Sequence, residues 1–344
     1  MDSVKLVDIC RIEKGQQIDT SRLNDAHRYR YINGGVKESG YYDSFNSNEE
    51  CVLVSEGGAS CGYVNYINEP FWCGCHCYRL FDLKVMPKYL YYALKANQER
   101  IMDLRTGVCM PNIKKKDFQN FVVSIDRDAK RQNAVVEVLD TIQKAIDFKR
   151  KQLEDLDELV KSKFQEMFGD VDTNDKGFET VIGKDVFSFS SGKFLSAEKR
   201  KEEGIPVYGG NGISWFTDEA LIDYPTIIIG RVGAYCGNVK MVNTPVWITD
   251  NAIFIKSFKK QVFNIRFLCQ LMENASFDKY ADVVAQPKIT QKPLENYKYI
   301  VPDIELQERF ADYVKSVDMA RKIVGDELVD LGELMDSKMD EYFG

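Results

Sequence analysis

The sequence is short of histidine and of long apolar runs, and it lacks a net positive charge. Only His27 and His76 are histidines among 344 residues, so a serine or cysteine triad has few possible bases. No run approaches the roughly 18 apolar residues of a membrane span. The opening MDSVKLVDIC lacks a basic stretch leading into an apolar core, so no secretory leader is expected. Nine cysteines, an odd number, in a chain read as unexported point to reduced thiols and a cytoplasmic location. What is present is 44% apolar and 29% charged, the balance of a soluble globular chain long enough for two ordinary domains.

The net charge of −7 argues against nucleic acid until it is divided by region. Residues 1–125 hold 16 basic and 15 acidic side chains, and residues 171–302 again 16 and 15. Residues 126–170 hold 9 and 11, and residues 303–344 hold 5 and 12. The acid is concentrated in the last stretch, and each larger region is free to carry a local basic face.

The chain is written twice. Gly58-Ala59-Ser60-Cys61-Gly62-Tyr63-Val64 recurs as Gly233-Ala234-Tyr235-Cys236-Gly237-Asn238-Val239, and Trp72 falls on Trp247, both 175 residues later. Asn33-Gly34-Gly35 recurs as Tyr208-Gly209-Gly210 and LEDLDELVKSKFQEMFG (153–169) as LVDLGELMDSKMDEYFG (328–344), again at 175. PNIKKKDFQNF (111–121) matches PKITQKPLENY (287–297) at 176, and Asp8 to Gly15 matches Asp185 to Gly192 at 177. One register held over the whole length is a tandem duplication.

That repeat decides how WCGCHC, residues 72–77, is read, because its counterpart WITDNA (247–252) contains no thiol or imidazole. Cys73, Cys75 and Cys77 alternate and are expected to share one face of a strand as small buried side chains. A structural zinc site takes four ligands in spaced pairs, and Cys61, Cys109 and His27 supply no such pairing, so no metal is expected.

Short apolar runs between glycines, such as CVLVSEGG (51–58) and TIIIGRVG (226–233), predict a strand-rich α+β domain in each half. PKYLYYALKANQERIMDLR (87–105) and NIRFLCQLMENASF (264–277) read as matching helices. From about Arg131 to Phe168 nothing breaks a helix. Leu139, Ile142, Ile146, Lys149, Leu153, Leu156, Val160, Lys163 and Met167 step by three and four. The second copy repeats those steps as Val314, Val317, Arg321, Val324, Leu328, Leu331, Met335, Lys338 and Tyr342. Two such seams predict an antiparallel coiled coil. The expected order is a domain over 1–128, a helix over 129–170, a second domain over 171–303 and a second helix over 304–344. Two similar heads held apart by a rod suit two short signals at fixed spacing, as DNA half-sites present them.

Here the sequence resembles a known family. INGG…SGY, SEGGASCGYVN, PNIKKKDF and LDELVKSKFQEMFGD in the first half are similar to the specificity subunit of type I restriction–modification systems. So are GIPVYGGNGISWFTD, IIIGRVGAYCGNV, WITDNAIFI and QPKITQKPLE in the second. The resemblance covers essentially the whole chain in the family's order of target-recognition domain, helix, target-recognition domain, helix. It implies that each domain reads one half of a bipartite site in double-stranded DNA. It also implies that the helices set the spacing and dock two modification (methyltransferase) subunits, which restriction (helicase-nuclease) subunits then join. Adenine methylation with S-adenosylmethionine would be the partners' chemistry, and this chain would hold no cofactor.

Phosphate contacts call for cations or backbone amides, and base reading calls for planar two-pronged groups in turns. The candidates are Lys14, Asn33, Ser60, Tyr63, Lys114 and Lys115 in the first half, and Lys193, Asn211, Trp215, Arg231, Tyr235 and Lys288 in the second. Glu56 and Arg231 stand at matching positions, and arginine pairs with guanine where a carboxylate pairs with the cytosine amino group. Position 56/231 is therefore expected to help make the half-sites differ, unless Glu56 serves to cap its turn or to neutralise a nearby lysine.

Enzyme motifs are incomplete. Asn68-Glu69-Pro70-Phe71 departs from an adenine-methyltransferase motif at its glutamate. Pro302-Asp303 with Glu305 lacks a nuclease lysine, because residue 307 is glutamine, and SSGKF (190–194) lacks phosphate-loop spacing. Two alternatives to the main reading remain. A methyltransferase in its own right would bind S-adenosylmethionine alone. A coiled-coil scaffold joining two protein-binding heads would show no sequence-dependent DNA binding even with its partners.

Overall fold

The structure, a computed structural model, describes every residue except Glu49, Val108, Cys109 and residues 283–286. Cys109, a candidate metal ligand by sequence, therefore lies outside the described residues, as does Gln286 of QPKITQKPLE. The chain forms two units, Met1–Lys151 with Gly325–Gly344, and Gln152–Val324.

In the first unit a four-stranded antiparallel sheet runs in the order Arg11–Lys14, Cys77–Phe81, Cys51–Ser55, Val64–Ile67. A three-stranded sheet runs Gly40–Tyr42, Tyr29–Ile32, Trp72–Cys73, its last pair parallel. Asp2–Lys5 pairs with Val122–Ile125, and Pro87–Ala96 is a helix. Every residue of Cys51–Ser55 is buried, which is why that segment reads as an unbroken apolar run rather than an alternating one.

The second unit repeats this plan strand for strand. Its four-stranded sheet runs Phe187–Ser191, Ala252–Phe258, Thr226–Gly230, Val239–Val242, and its three-stranded sheet Gly212–Thr217, Ile205–Gly209, Trp247–Ile248. Glu179–Ile182 pairs with Lys298–Val301, and Ile265–Asn274 is the helix. Fine detail repeats as well. The Trp72 indole donates to Gln16 O and the Trp247 indole to Lys193 O, both at 2.9 Å. A Cβ on Gly15 would overlap the carbonyl of Cys73, and one on Gly192 the carbonyl of Thr249. Only glycine lets the chain pass so close.

The long helices are Ala129–Phe168 and Ile304–Phe343, 40 residues each. The first stops at Gly169, whose φ of +68° is the left-handed conformation that ends helices. In the first unit Phe343 packs on Tyr89, beside the start of the first helix, while Glu327 pairs with Lys149 at 2.7 Å, farther along it. In the second unit Phe310 packs on Phe164 and Phe168 while Arg321 pairs with Asp157 at 2.7 Å. Both arrangements are antiparallel. Among the described residues no helix is long and apolar enough to cross a membrane.

Each helix is tied to its domain by a buried glutamine. Gln132 accepts from Met86 N (2.8 Å) and donates to Asp126 O (2.6 Å). Gln307 accepts from Asn264 N (2.9 Å) and donates to Val262 O (3.1 Å) and Pro302 O (2.8 Å). The residue that stood where a nuclease motif wanted lysine is thus a structural clamp with a twin 175 positions earlier.

The seam departs from its expected course at the helix ends. Phe164 and Phe168 are fully buried, next door to the expected Lys163 and Met167. Lys163 pairs with Glu166 on its own helix. There the apolar face turns toward the domain helix, stacking Phe164 on Phe267 and setting Phe168 against the same ring at a tilt, so the pattern serves two neighbours rather than one.

Candidate nucleic-acid interface

In each unit the loops at one end of the four-stranded sheet converge. In the first, Gly15 N donates to Cys77 O, Glu56 N to His76 O, Gly58 N to Pro111 O and Ile113 N to Glu56 O. In the second, Gly192 N donates to Ala252 O, Arg231 N to Asn251 O, Gly233 N to Pro287 O and Ile289 N to Arg231 O. The Cys61 thiol donates to Glu56 O (3.1 Å) and the Cys236 thiol to Arg231 O (3.4 Å). Burial raises the pKa of both thiols, which suits backbone anchors rather than nucleophiles. The same scaffold therefore presents residue 56 in one unit and residue 231 in the other.

The side chains there differ in charge. Glu56 is mostly buried, accepts from Lys14 Nζ at 2.5 Å and has His76 Nδ1 at 3.8 Å. The neighbouring lysine that the sequence left open is Lys14. Arg231 sits among weaker contacts, 3.5 Å to both Ser191 Oγ and Asp250 O, and its Nε is buried with no hydrogen-bond partner among the described residues.

Around these two positions the structure gathers most of the expected residues. Asn33 accepts from His76 N at 3.3 Å, Ser60 is in the glycine-rich turn, and Lys114 and Lys115 are exposed just beyond the strand-like Pro111–Ile113 link. Lys193 follows Gly192, Lys288 bridges Val232, and Asn211 occupies the hairpin tip, its carbonyl 3.4 Å from Lys240 Nζ. Tyr235 is exposed in the turn Gly233–Tyr235. Two stand apart. The Tyr63 ring lies under Lys95 Nζ at 4.1 Å, turned toward the domain helix. Trp215 is half-buried in mid-strand opposite Val207 rather than in a turn.

Sequence reasoning overlooked Gln17, His76, Ser191 and Gln291. Gln291 Nε2 lies 3.4 Å from Ser191 Oγ, the hydroxyl that also faces Arg231. Their repeat positions were readable, but nothing in their local sequence says which turns meet. Phe194, 75% exposed beside Lys193, ends SSGKF, a stretch whose glycine and lysine draw attention away from its aromatic residue.

The thiol run needs one correction. Cys73 and Cys77 are fully buried, but Gly74–His76 form a turn between strands instead of continuing one. Cys75 therefore leaves the shared face and reaches Gln17 Oε1 at 2.8 Å. Asn68-Glu69-Pro70-Phe71 is a link between strands in which Glu69 pairs with Arg30 at 2.5 Å and Phe71 is buried.

The profile described as "Type I restriction modification DNA specificity domain" matches the chain twice, over residues 1–158 and 175–328. A type I specificity subunit of Mycoplasma genitalium is 29% identical, over 96% of this chain and 86% of its own length. One from Mycoplasma pneumoniae is 27% identical, over 72% of this chain and 70% of its own. The crystal structure of a type I restriction–modification S subunit from M. genitalium superposes with a TM-score of 0.67 at 25% identity, covering 100% of this chain and 96% of that one.

Proposed function

The chain belongs to the type I restriction–modification DNA specificity family, and we propose that each of its two units reads one half of an asymmetric, bipartite site in double-stranded DNA. The observation that carries the asymmetry is the shared turn holding Glu56 in one unit and Arg231 in the other. Arg231, with donors only loosely held by Ser191 and Asp250, suits the two acceptors of guanine. Glu56, held by Lys14, leaves the first unit a nearly neutral pair at the same place. Lys193 and Lys288 in the second unit, and Lys114 and Lys115 in the first, supply phosphate contacts. Asn33, Ser60, Asn211 and Tyr235 line the approach.

In this reading the chain recognises and does not catalyse. The long helices set the half-site spacing and dock two methyltransferase subunits, which hold S-adenosylmethionine; restriction subunits join that complex. Docking of two like partners is supported by the repeat, which places an exposed apolar residue at the same helix position in each unit, Phe148 in the first and Ile323 in the second, 175 positions apart.

Sequencing methylated bases in a host carrying this chain and its methyltransferase tests the reading. One split motif that disappears when the chain is deleted is expected; methylation indifferent to the chain would end it. With few cations on either rim, the chain alone should bind DNA weakly and tightly only with its partners. Nanomolar sequence-specific binding by the isolated chain at physiological salt would contradict the division of labour.

A further inference from the structure

The second unit contains a cleft of about 1160 Å³ between helix Ile265–Asn274, the strand Val239–Val242 and the long-helix segments around Asp157 and Asp318. The first unit shows what a unit of this fold otherwise places there. The two domain helices align at an offset of 178: their first turns meet the glutamine clamps at Met86 and Asn264. Their buried residues also correspond, Tyr89 to Phe267, Leu90 to Leu268, Ala93 to Leu271 and Leu94 to Met272. In this register Tyr91, Tyr92 and Lys95 become Cys269, Gln270 and Glu273. On the adjoining strand, at 175, Tyr63 and Tyr66 become Asn238 and Met241.

All five replacements line the cleft. In the first unit the corresponding side chains pack together. Tyr91 lies 5.0 Å from Tyr92 and 5.6 Å from Tyr66, and Lys95 Nζ stands 4.1 Å over the Tyr63 ring. Four aromatic rings and one ammonium are thus exchanged for small or flexible groups and one carboxylate. Most of the charges framing the cleft are paired; Lys240 Nζ meets Asn211 O at 3.4 Å and, like Asp278, forms no ion pair among the described residues. Arg266 pairs with Asp318, Arg321 with Asp157 and Asp318, and Lys161 with Glu158. Glu273 forms no ion pair among the described residues, its carboxylate accepting from Gln270 Nε2 at 2.7 Å. Burial raises its pKa, opposed by the Gln270 hydrogen bond and by Arg321 and Lys161 and reinforced by Asp157.

We infer that this cleft is a binding site for a planar aromatic group carrying a protonated nitrogen, the ring taking the room that tyrosines fill in the first unit and the cation meeting Glu273. The ligand's ring would stand where the first unit has its own tyrosines, and its cation would meet the carboxylate that replaces Lys95. The ligand is a free arylalkylamine, which the cleft has room to take whole; an aromatic–basic pair of side chains on another protein is the competing outcome that the test separates.

The test uses the full chain and tyramine, followed by saturation-transfer NMR and calorimetry, beside 4-hydroxyphenylacetate, which has the same ring and the opposite charge. Saturable tyramine binding is expected, at least tenfold tighter than that of the acid. Glu273→Gln should weaken tyramine at least tenfold, and Cys269→Tyr, which restores a first-unit ring, should remove binding while the circular dichroism stays that of wild type. Acetyl-Tyr-Lys-amide binding more tightly than tyramine would point to the protein-borne source, and weaker binding to the free amine. Absence of saturable binding by tyramine and the peptide alike, equal binding of the acid, or binding untouched by both substitutions would overturn the site.

Discussion

The two units share a backbone and disagree in their side chains, and where they disagree is informative. Positions that hold chain against chain are kept in duplicate: Gly15 and Gly192, Trp72 and Trp247, Cys61 and Cys236, Gln132 and Gln307. Positions whose side chains face the converging loops or the cleft beside the domain helix have parted, Glu56 from Arg231 and the tyrosine stack from the cleft around Glu273. Packing constrains a duplicated scaffold because every close approach fails in the same way in both copies. A rim position carries no such cost, so its charge can change without unfolding either unit.

The largest expected break in that comparison is at the ends of the long helices. Phe168 packs against Phe164, Phe178, Phe267 and Phe310, with centroids 4.7 to 6.2 Å away. Its twin Phe343 packs against Tyr89 at 5.3 Å. Removing a buried phenylalanine costs about 3–5 kcal/mol. Phe168→Ala should fall near the top of that range and Phe343→Ala near its foot, measured by urea unfolding; equal losses would mean the phenylalanine cluster adds nothing beyond burial.

The clamps come next. Gln307→Leu strands one amide and two carbonyls, Gln132→Leu one of each. At about 1 kcal/mol or more for each group left unpaired, losses of about 3 and about 2 kcal/mol are expected in the same unfolding experiment. A loss below about 0.5 kcal/mol at either would show that solvent replaces the clamp.

At the rim the effect moves from stability to specificity. Arg231→Ala should relax one base position in one half-site, by about 1–3 kcal/mol of discrimination, and leave the other half-site untouched. Glu56→Gln should free Lys14 and alter only the opposite half-site. Methylated-base sequencing reads both, and a change in neither half-site removes position 56/231 from recognition.

How much of this was legible depends on range. The duplication was plain because its glycines and tryptophans serve local geometry, and local geometry leaves a motif. The helices were plain because no proline or glycine interrupts the first. The glutamine clamps were hidden, since glutamine in a helix looks like a surface residue until a neighbouring backbone is placed beside it. Phe164 and Phe168 were hidden because a three–four repeat does not say which neighbour the apolar face meets. The Lys14–Glu56 pair required knowing that strand Cys77–Phe81 separates Arg11–Lys14 from Cys51–Ser55. The rim residues Gln17, Ser191 and Gln291 come from turns far apart in sequence, and only the sheet order brings those turns together.

The smallest effect concerns the helices themselves. Gly325 and Gly332 stand in the second helix where the first has Arg150 and Asp157, and a Cβ at either glycine would meet nothing within 4 Å. Alanine therefore brings no clash, and it removes backbone freedom that glycine retains in the unfolded chain. Gly325→Ala and Gly332→Ala should each stabilise the protein by up to about 1 kcal/mol, additively, because the sites lie two helical turns apart. Arg150→Gly in the first helix is the mirror experiment, expected to cost about the same amount. If the alanines destabilise instead, the glycines accommodate a bend or a close partner in the second helix, and the two helices are less alike than their shared length of 40 residues implies.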